Sequence, residues 1–313
     1  MPSPPRARGR SQAIVLGDLA LDVVLAPAWP LELGTDVPGV VRLHQGGSAA
    51  NAARWLARVG VRTTLICAVG RDGPGRALVA ALRGDGVDVR ASHPVGARTA
   101  RIGMLVDAAG ERSFVADRGA ADLVAPDDLR PAWFRGAGVL HLPAYSLLGR
   151  SLGDAASRAV MLAREAGAQV TVDLASAAPL LASGRGTAQS RVAVVAPDVL
   201  FSNAAEAAAF LGAGDPELLL RFAPIAIVKR GASGATVLAR RAGATHFRLD
   251  VATRPLPASD STGAGDAFDA GFLAAWLAAG RESTPAVLLR AVAAGNRVAA
   301  RQIGAPRPEL ALG

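Results

Sequence analysis

Short runs of aliphatic residues alternate along the chain with alanine-rich stretches whose apolar positions recur at a helical spacing. Continuous aliphatic runs are typical of strands buried on both faces, whereas the longer periodic stretches indicate helices. The alternation predicts an α/β fold with a doubly wound, mostly parallel sheet. The predicted strands are 12–16, 63–69, 138–142, 169–173, 199–202, 226–229 and 235–239, and the predicted helices are 49–59, 75–83, 152–166, 204–211 and 216–222.

Two segments interrupt this alternation. Residues 21–44 contain several prolines and no helical period, and residues 98–117 predict a hairpin that turns at 108–111. Together they predict a small antiparallel sheet beside the main fold. A second interpretation, a hairpin that only decorates the sheet edge, remains open.

The composition suits one large domain, because the chain has 313 residues of which 51% are hydrophobic. We expect residues 1–10 to be a disordered basic tail and 11–313 to be the domain. Asp18 and Asp22 interrupt the apolar core that a secretory signal needs. Cys67 is the single cysteine, which excludes an internal disulfide and fits the cytoplasm.

The formal net charge of +8 raises the question of nucleic acid. The arginines are scattered, however, and no basic run is interleaved with aromatic residues, so we interpret the charge as solvated surface. We therefore predict no nucleic-acid partner and no membrane partner. Lys229 is the only lysine in the chain.

The sequence Asp-Ser-Thr-Gly-Ala-Gly-Asp-Ala-Phe, residues 260–268, joins a glycine-rich turn to an apolar helix. Gly263 and Gly265 leave backbone N–H groups uncovered, and the helix dipole adds positive potential, so this turn is suited to an anion. Asp266 would repel a resting phosphate there. An acid in an anion site indicates a general base that acts on an attacking hydroxyl. The alternative is ordinary helix capping by Asp260, Ser261 or Asp266.

Two common phosphate-binding loops do not match this turn. A Walker A loop requires Lys and Ser or Thr after its second glycine, where this chain has Asp266 and Ala267. A dinucleotide-binding fingerprint requires a preceding strand and a third glycine, where this chain has two prolines upstream and Phe268.

A second glycine-rich segment, Gly-Gly-Ser-Ala-Ala-Asn-Ala-Ala-Arg at residues 46–54, completes a pair of signatures. In this order and at this spacing they resemble the two signatures of the PfkB (ribokinase-like) family of carbohydrate and nucleoside kinases. The resemblance extends from residue 13 to about residue 306. It implies an ATP-dependent phosphotransferase that phosphorylates a hydroxymethyl group of a small sugar, ribose-like or hexose. A nucleoside kinase, or a non-catalytic relative that binds a sugar or nucleotide, is the alternative.

The resemblance also implies roles for the two interrupting segments and for the acceptor site. Segments 21–44 and 98–117 match the family's lid, which closes over the sugar, and an apolar row on the hairpin favours a homodimer through the lid. Asp22, five residues after Gly17, matches the acid that binds sugar hydroxyls. Asp18 is the alternative for that role. The other residues predicted to bind the acceptor are Gly46, Gly47 and Asn51.

For the chemistry, the resemblance implies Asp266 as the base, with the loop amides of Gly263, Ala264 and Gly265 around the transferred phosphoryl group. Asn203 and Glu206 match an Asn-x-x-Glu motif that organises Mg²⁺, usually through water. Asp260 and Thr262 match positions that help bind a monovalent cation such as K⁺. The predicted ATP-binding residues are Asn203, Glu206, Lys229, Gly231, Gly234, Asn296 and Gly304.

One segment departs from the family pattern. Many sugar kinases of the family carry Asp-x-Asn-x-Arg after the strand that ends here at Asp173, but this chain reads Asp-Leu-Ala-Ser-Ala. The missing Asn and Arg count against a fructokinase or a ketodeoxygluconate kinase. The alternation along 98–106 places few of the hairpin arginines inward, so we expect an unphosphorylated acceptor. The four histidines show no metal-binding spacing.

Overall fold

The computed structural model describes residues 12–312 except 33, 108–110, 213, 242–244, 257–259 and 306. The predicted basic tail, 1–10, and most of the predicted hairpin turn, 108–110, lie outside the described residues. No helix in the described ranges combines the length and the apolar character needed to cross a bilayer.

The described residues form thirteen strands and eight α-helices. The strands are β1 (Gln12–Leu16), β2 (Ala20–Pro27), β3 (Gly39–Gly46), β4 (Arg62–Ala68), β5 (Asp88–Ser92), β6 (Ala100–Val106), β7 (Arg112–Asp117), β8 (Ala137–Pro143), β9 (Gln169–Asp173), β10 (Val199–Asn203), β11 (Ile225–Lys229), β12 (Ala235–Arg240) and β13 (His246–Val251). The helices are α1 (Ser48–Arg58), α2 (Gly73–Gly84), α3 (Arg150–Glu165), α4 (Ala177–Leu181), α5 (Arg185–Val195), α6 (Ala204–Leu211), α7 (Ala264–Ala278) and α8 (Pro285–Gly304).

Nine strands form the main sheet, in the order β13-β12-β11-β10-β9-β8-β1-β4-β5. The seven strands from β11 to β5 are parallel, and β12 and β13 continue the sheet in antiparallel pairing. Helices α1, α2, α7 and α8 bury one face of this sheet, and α3 to α6 bury the other. The carboxyl ends of the parallel strands therefore meet at one edge, where ligands bind in folds of this kind.

A second sheet of four strands, in the order β3-β2-β6-β7, is built from the two segments that interrupt the α/β alternation. Its two hairpin pairs, β2–β3 and β6–β7, are antiparallel, and β2 and β6 pair in parallel at its centre. β2 begins four residues after β1 ends, so this sheet lies next to the ligand-binding edge. The predicted fold class, a doubly wound, mostly parallel sheet with a small antiparallel sheet beside it, is confirmed.

The sequence analysis did not predict β5, β13, α4, α5 or α8. β5 and β13 are the two edges of the main sheet, and their residues alternate between buried or half-buried and exposed positions, so neither carries an aliphatic run. The predicted helix at 216–222 is a 3₁₀ helix, Pro216–Arg221, with Asp215 as its N-cap.

Helices α7 and α8 pack in close contact through glycine. A Cβ on Gly271 would lie 2.7 Å from the carbonyl oxygen of Ala294, and a Cβ on Gly295 would lie 2.8 Å from that of Phe268. Both obstacles are backbone atoms, which cannot rotate away. This approach holds the amino end of α7, which carries Asp266, against the rest of the fold.

We therefore expect Gly295→Ala to lower the free energy of unfolding by about 1 to 3 kcal/mol, the usual cost of overpacking. Denaturant titration followed by circular dichroism measures this. Gly84→Ala is the matched control, because Gly84 ends α2 with no atom within 4 Å of a Cβ. Equal stability of the two variants would show that the helices separate at little cost.

Candidate active site

The two glycine-rich segments meet where α1 and α7 begin. Gly263 is the N-cap of α7 and has a φ of 76°, a left-handed conformation that strains other residues. Gly47 is the N-cap of α1, with a φ of 96°, and a Cβ on it would lie 2.5 Å from the carbonyl oxygen of Asp18. Both turns thus require glycine, and each delivers a helix amino end to the same place.

Asp266, in the first turn of α7, is held by two side chains from the first turn of α1. Ser48 Oγ donates to Asp266 Oδ1 at 2.6 Å, and Asn51 Nδ2 donates to Asp266 Oδ2 at 2.9 Å. Gln45 Nε2 in turn donates to Asn51 Oδ1 at 3.0 Å, which fixes the amide's orientation. Asn51 was predicted to bind the acceptor, and here it orients the predicted base.

Burial raises the pKa of Asp266 to about 7. The hydrogen bonds from Ser48 and Asn51 oppose this shift, the charge of Asp173 adds to it, and the charge of Lys229 opposes it. A carboxyl group that titrates near neutral pH can accept a proton from a hydroxyl and release it again, which suits a general base.

The anion site was predicted at the backbone amides beside Asp266. The N–H of Ala264 donates to the carbonyl oxygen of Ser261 at 3.1 Å and so closes the turn. The N–H groups of Gly265 and Asp266 follow in the first helical turn, where intrahelical acceptors are missing. The positive end of the α7 dipole adds to their attraction for an anion.

Lys229 lies beneath this turn, where a Cβ on Gly265 would be 3.4 Å from Lys229 Nζ. Its ammonium group donates to Asp173 Oδ2 at 3.0 Å and to Asp269 Oδ1 at 3.2 Å. Burial would raise the pKa of Asp173, but Lys229 holds it below its usual value, whereas burial and Asp173 raise the pKa of Asp269 well above its own. The ammonium group of Lys229 thus lies between two buried carboxyl groups, whose pKa values are shifted in opposite directions.

This cluster explains two acids that the sequence analysis did not assign to the site. Asp173 is what remains of the Asp-x-Asn-x-Arg pattern, and it serves as the counter-ion of Lys229. Asp269 follows Asp266 by three residues on α7. Lys229 was predicted to contact the nucleotide. The structure places it behind the turn at residues 260–265, which we call the anion turn, and its side chain is only 12% exposed.

Asp22 lies on β2 at the entrance to the second sheet and is 5% exposed. Its Oδ2 accepts from Arg307 Nη1 at 2.7 Å, and a Cβ on Gly46 would lie 1.9 Å from its Oδ1. Burial raises the pKa of Asp22 even against the opposing charge of Arg307. Gly46 therefore leaves the space that the carboxylate of Asp22 occupies.

Asp18, the alternative to Asp22, has other partners. Its Oδ1 accepts from the backbone N–H of Ala49 at 3.1 Å, and its Oδ2 accepts from Arg118 Nη1 at 2.9 Å. It thus stabilises the start of α1 and binds Arg118, and both of its oxygens are occupied. This arrangement favours Asp22 for contact with an acceptor.

Asn203 and Glu206 cap the start of α6 reciprocally. Asn203 Oδ1 accepts from the Glu206 N–H, and Glu206 Oε2 accepts from the Asn203 N–H, both at 2.8 Å. Burial raises the pKa of Glu206 to about 7, with the charge of Asp173 adding to the shift. In the described ranges no three His, Cys, Asp or Glu side chains are grouped to hold a metal ion. Mg²⁺ commonly binds one or two protein carboxylates and substrate phosphates, and Glu206 with Asn203 fits that pattern.

The remaining predicted nucleotide-binding residues are spread over the β11–β12 turn and α8. Gly231 has a φ of 55° with no atom within 4 Å of a Cβ, and Gly234 is required by the backbone, because a Cβ there would lie 2.0 Å from the carbonyl oxygen of Val251. Asn296 Nδ2 is buried and has no hydrogen-bond partner among the described residues. Gly304 ends α8 with open space around it.

Asp260 and Thr262, predicted to bind a monovalent cation, contact arginine. Asp260 Oδ1 accepts from Arg112 Nη1 at 2.9 Å, and Asp260 Oδ2 accepts from Arg307 Nε at 3.1 Å. Arg112 Nη1 also donates to Thr262 Oγ1, and its Nη2 donates to Ser261 Oγ at 2.6 Å. Arg307 follows α8 on a segment that pairs with β3, where the Leu310 N–H donates to the carbonyl oxygen of Leu43. The sequence analysis assigned no role to Arg307.

Comparison with known proteins places this site in a family. The profile of the pfkB family carbohydrate kinases matches residues 10–309. The protein belongs to this family. It is 35% identical to the ATP-dependent ribose-1-phosphate kinase of Halopiger xanaduensis over 243 residues, which are 76% of this chain and 75% of that protein.

Solved structures of two kinases share the fold. The adenosine kinase from Sinorhizobium meliloti superposes with a TM-score of 0.80 at 24% identity, covering 97% of this chain and 98% of that one. A fructokinase double mutant from Vibrio cholerae O395, in fructose, ADP and potassium ion bound form, superposes with a TM-score of 0.77 at 23% identity, covering 96% and 95%. The chain is thus a carbohydrate kinase with the ribokinase-like architecture.

Removing the Ser48 hydroxyl should move the acidic limb of the pH profile. The hydrogen bond from Ser48 lowers the pKa of Asp266, so Ser48→Ala raises it, and the ionised base is then present only at higher pH. For the wild type, kcat/KM should rise with pH up to about 7 and level off above it. The pH dependence of kcat/KM measures this shift.

Ser157→Ala is the control for that experiment. Ser157 is exposed on α3 and donates only to the carbonyl oxygen of Gly153. An acidic limb that stayed in place in Ser48→Ala would mean that a group other than Asp266 sets the profile.

Proposed function

We propose that this pfkB-family kinase transfers the γ-phosphoryl group of ATP to a hydroxymethyl group of a small sugar, with Asp266 as the general base. The observation that carries the proposal is the Asp266 carboxylate, which is held by Ser48 and Asn51 beside the amino end of α7 and has a pKa raised to about 7. A base and an anion site thus adjoin, as transfer of a phosphoryl group to an alcohol requires.

In this mechanism Asp266 accepts the proton of the acceptor hydroxyl. The oxygen of that hydroxyl attacks the γ-phosphorus, and the bond between the γ-phosphorus and the ADP oxygen breaks. The N–H groups of Gly265 and Asp266 and the α7 dipole stabilise the negative charge on the transferred group. Gly263 and Ala264 shape the turn that presents these amides. The buried ammonium group of Lys229, behind Gly265, adds positive potential.

ATP and Mg²⁺ are the cofactors that this function requires, and the name of the Halopiger relative includes ATP. Asn203 and Glu206 would hold Mg²⁺ through water, and the ion would neutralise charge on the phosphates. Gly231, Gly234, Asn296 and Gly304 would lie along the nucleotide. The unpaired Asn296 amide supports this assignment, because it has donors available for a ligand.

Asp22, Gly46, Gly47 and Asn51 would form the acceptor site. We favour an unphosphorylated sugar, because two arginines on or just after β7 that could hold a phosphate are already paired: Arg112 with Asp260 and Arg118 with Asp18 and Asp122. A sugar phosphate is the second candidate, because the Halopiger relative, which matches across most of the chain, is a ribose-1-phosphate kinase. A nucleoside acceptor and a non-catalytic binding role are the further alternatives.

Asp266→Asn tests the proposal. It should lower kcat by about 10²- to 10⁴-fold, the usual contribution of a general base, while ATP binding by calorimetry stays near the wild-type value. Turnover should first be measured on pentoses, hexoses, sugar phosphates and nucleosides with an ADP-release assay.

Asp127→Asn, at an exposed position of the Pro126–Asp128 turn, is the matched control. Wild-type turnover in Asp266→Asn would exclude Asp266 as the general base. A wild-type protein that binds these ligands but releases no ADP with any of them would favour the non-catalytic role.

We also propose that the chain forms a homodimer through the second sheet, which we call the lid (β3-β2-β6-β7). Its strands expose apolar side chains, with Val41 on β3 at 62%, Phe114 on β7 at 56% and Val115 on β7 at 79%. The strand register places Val41 and Val115 on one face of this sheet, together with Leu25, which is 39% exposed, and places Phe114 on the other face. Exposed apolar residues that share a face are typical of an interaction surface.

The cytoplasm, where ATP is available, is the compartment that suits this kinase. Burial raises the pKa of the Cys67 thiol to about 12, which makes that thiol inert.

Val115→Asp should therefore shift the wild-type dimer to monomer in sedimentation velocity, because a carboxylate would be buried at the interface. Val194→Asp is the control, since Val194 is also 79% exposed but lies on α5, away from the lid. A wild-type monomer, or equal effects of both substitutions, would contradict the lid dimer.

A further inference from the structure

Arg112 is a lid residue whose guanidinium group contacts the anion turn. It is the first residue of β7, 148 residues before Asp260 in the chain. Its Nη1 donates to Asp260 Oδ1 and Thr262 Oγ1, and its Nη2 donates to Ser261 Oγ. One side chain thus binds three consecutive residues of the segment that leads into Gly263.

Two of the three residues that Arg112 contacts, Asp260 and Thr262, were predicted to bind a monovalent cation, and in this structure their side-chain oxygens accept hydrogen bonds from Arg112 instead. Asp260 Oδ1 accepts from the Thr262 N–H and from Arg112, and Asp260 Oδ2 accepts from Arg307. An alkali-metal ion at this carboxylate would lie next to two guanidinium charges that repel it. The donors already present supply the positive charge that the ion would bring.

The geometry of the donors agrees with this pairing. Two guanidinium groups and the Thr262 N–H all donate to the carboxylate of Asp260. Arginine stays protonated at all relevant pH values and binds in a planar fork, so it can act as the counter-ion of this carboxylate.

We propose that Arg112 is a positioning residue that replaces the monovalent cation, so that closure of the lid, and not binding of K⁺, orders the anion turn for phosphoryl transfer. The inference rests on the proposed kinase function. In this arrangement the anion turn is ordered for phosphoryl transfer only when β7 is in place. Because β7 pairs with β6 and β6 with β2, which carries Asp22, the acceptor and phosphate sites are joined through one sheet.

The first test needs no variant and no substrate. Thermal unfolding of the wild-type protein should give the same Tm in KCl, NaCl and tetramethylammonium chloride at equal ionic strength, because no site selects K⁺. With an identified acceptor, kcat should likewise be the same in the three salts. A K⁺-specific rise in Tm or in kcat would overturn the proposal. The Tm comparison stays decisive even if no acceptor is found. Failure of the proposed kinase function can therefore be distinguished from failure of the proposed role of Arg112.

The second test removes the guanidinium group. Arg112→Ala should lower kcat by up to about 100-fold, the effect of a small misplacement of reacting groups, with a much smaller change in the KM for ATP. Guanidinium ion added to the buffer should restore part of the lost kcat, and Arg112→Lys should retain more activity than Arg112→Ala because it keeps the charge. A structural role alone would not produce rescue by the free ion.

Arg42→Ala is the matched control, because Arg42 is an exposed arginine on β3 of the same lid. Wild-type kcat in Arg112→Ala, or a loss that neither guanidinium ion nor Arg112→Lys restores, would overturn the positioning role. If Arg112→Ala does not fold, the comparison of wild type with Arg112→Lys and the salt series still decides the question.

Discussion

The buried ion cluster of Lys229, Asp173 and Asp269 is the constraint on which the geometry of the site depends. An ammonium group removed from water must be paired, and here its partners come from β9 and α7 while the lysine ends β11. The cluster therefore fixes how α7 lies on the sheet. Asp266 precedes Asp269 by three residues on α7, so fixing Asp269 also orients the first turn, which carries Asp266 and the amides of the anion site.

The same cluster shapes the titration of the whole site. The charge of Asp173 raises the pKa of Asp266, Glu206 and Asp269, and the charge of Lys229 opposes each of these shifts. Burial is the largest cause of the raised pKa values of Asp266 and Glu206, both about 7, and the charges of the cluster modify that shift. A cation bound beside either group would lower its pKa and ionise it. Binding of the metal–nucleotide complex would thus favour the ionised form that the proposed base needs.

The sequence predicted the parts of the fold that follow from local patterns. Aliphatic runs located seven strands of the main sheet, and the glycine signatures located Gly47 and Gly263, whose left-handed φ values only glycine adopts readily. The edge strands β5 and β13 were missed because half-exposed edges carry polar residues. Ser48 and Arg307 were missed for another reason, because their roles arise from contacts across 218 and 285 residues that no local pattern encodes. Gln45 was missed because it acts through Asn51 and lies just outside the second signature.

The basic residues around the site differ in the geometry that each one satisfies. Arg112, Arg118 and Arg307 each bridge separate oxygen atoms at the rim of the site, where a planar fork that cannot lose its proton is suited to holding several acceptors. Lys229 instead lies beneath the turn that precedes α7, with its Nζ 3.4 Å from where a Cβ on Gly265 would be. The charge of the chain's single lysine is therefore located behind the amides that would face the phosphate.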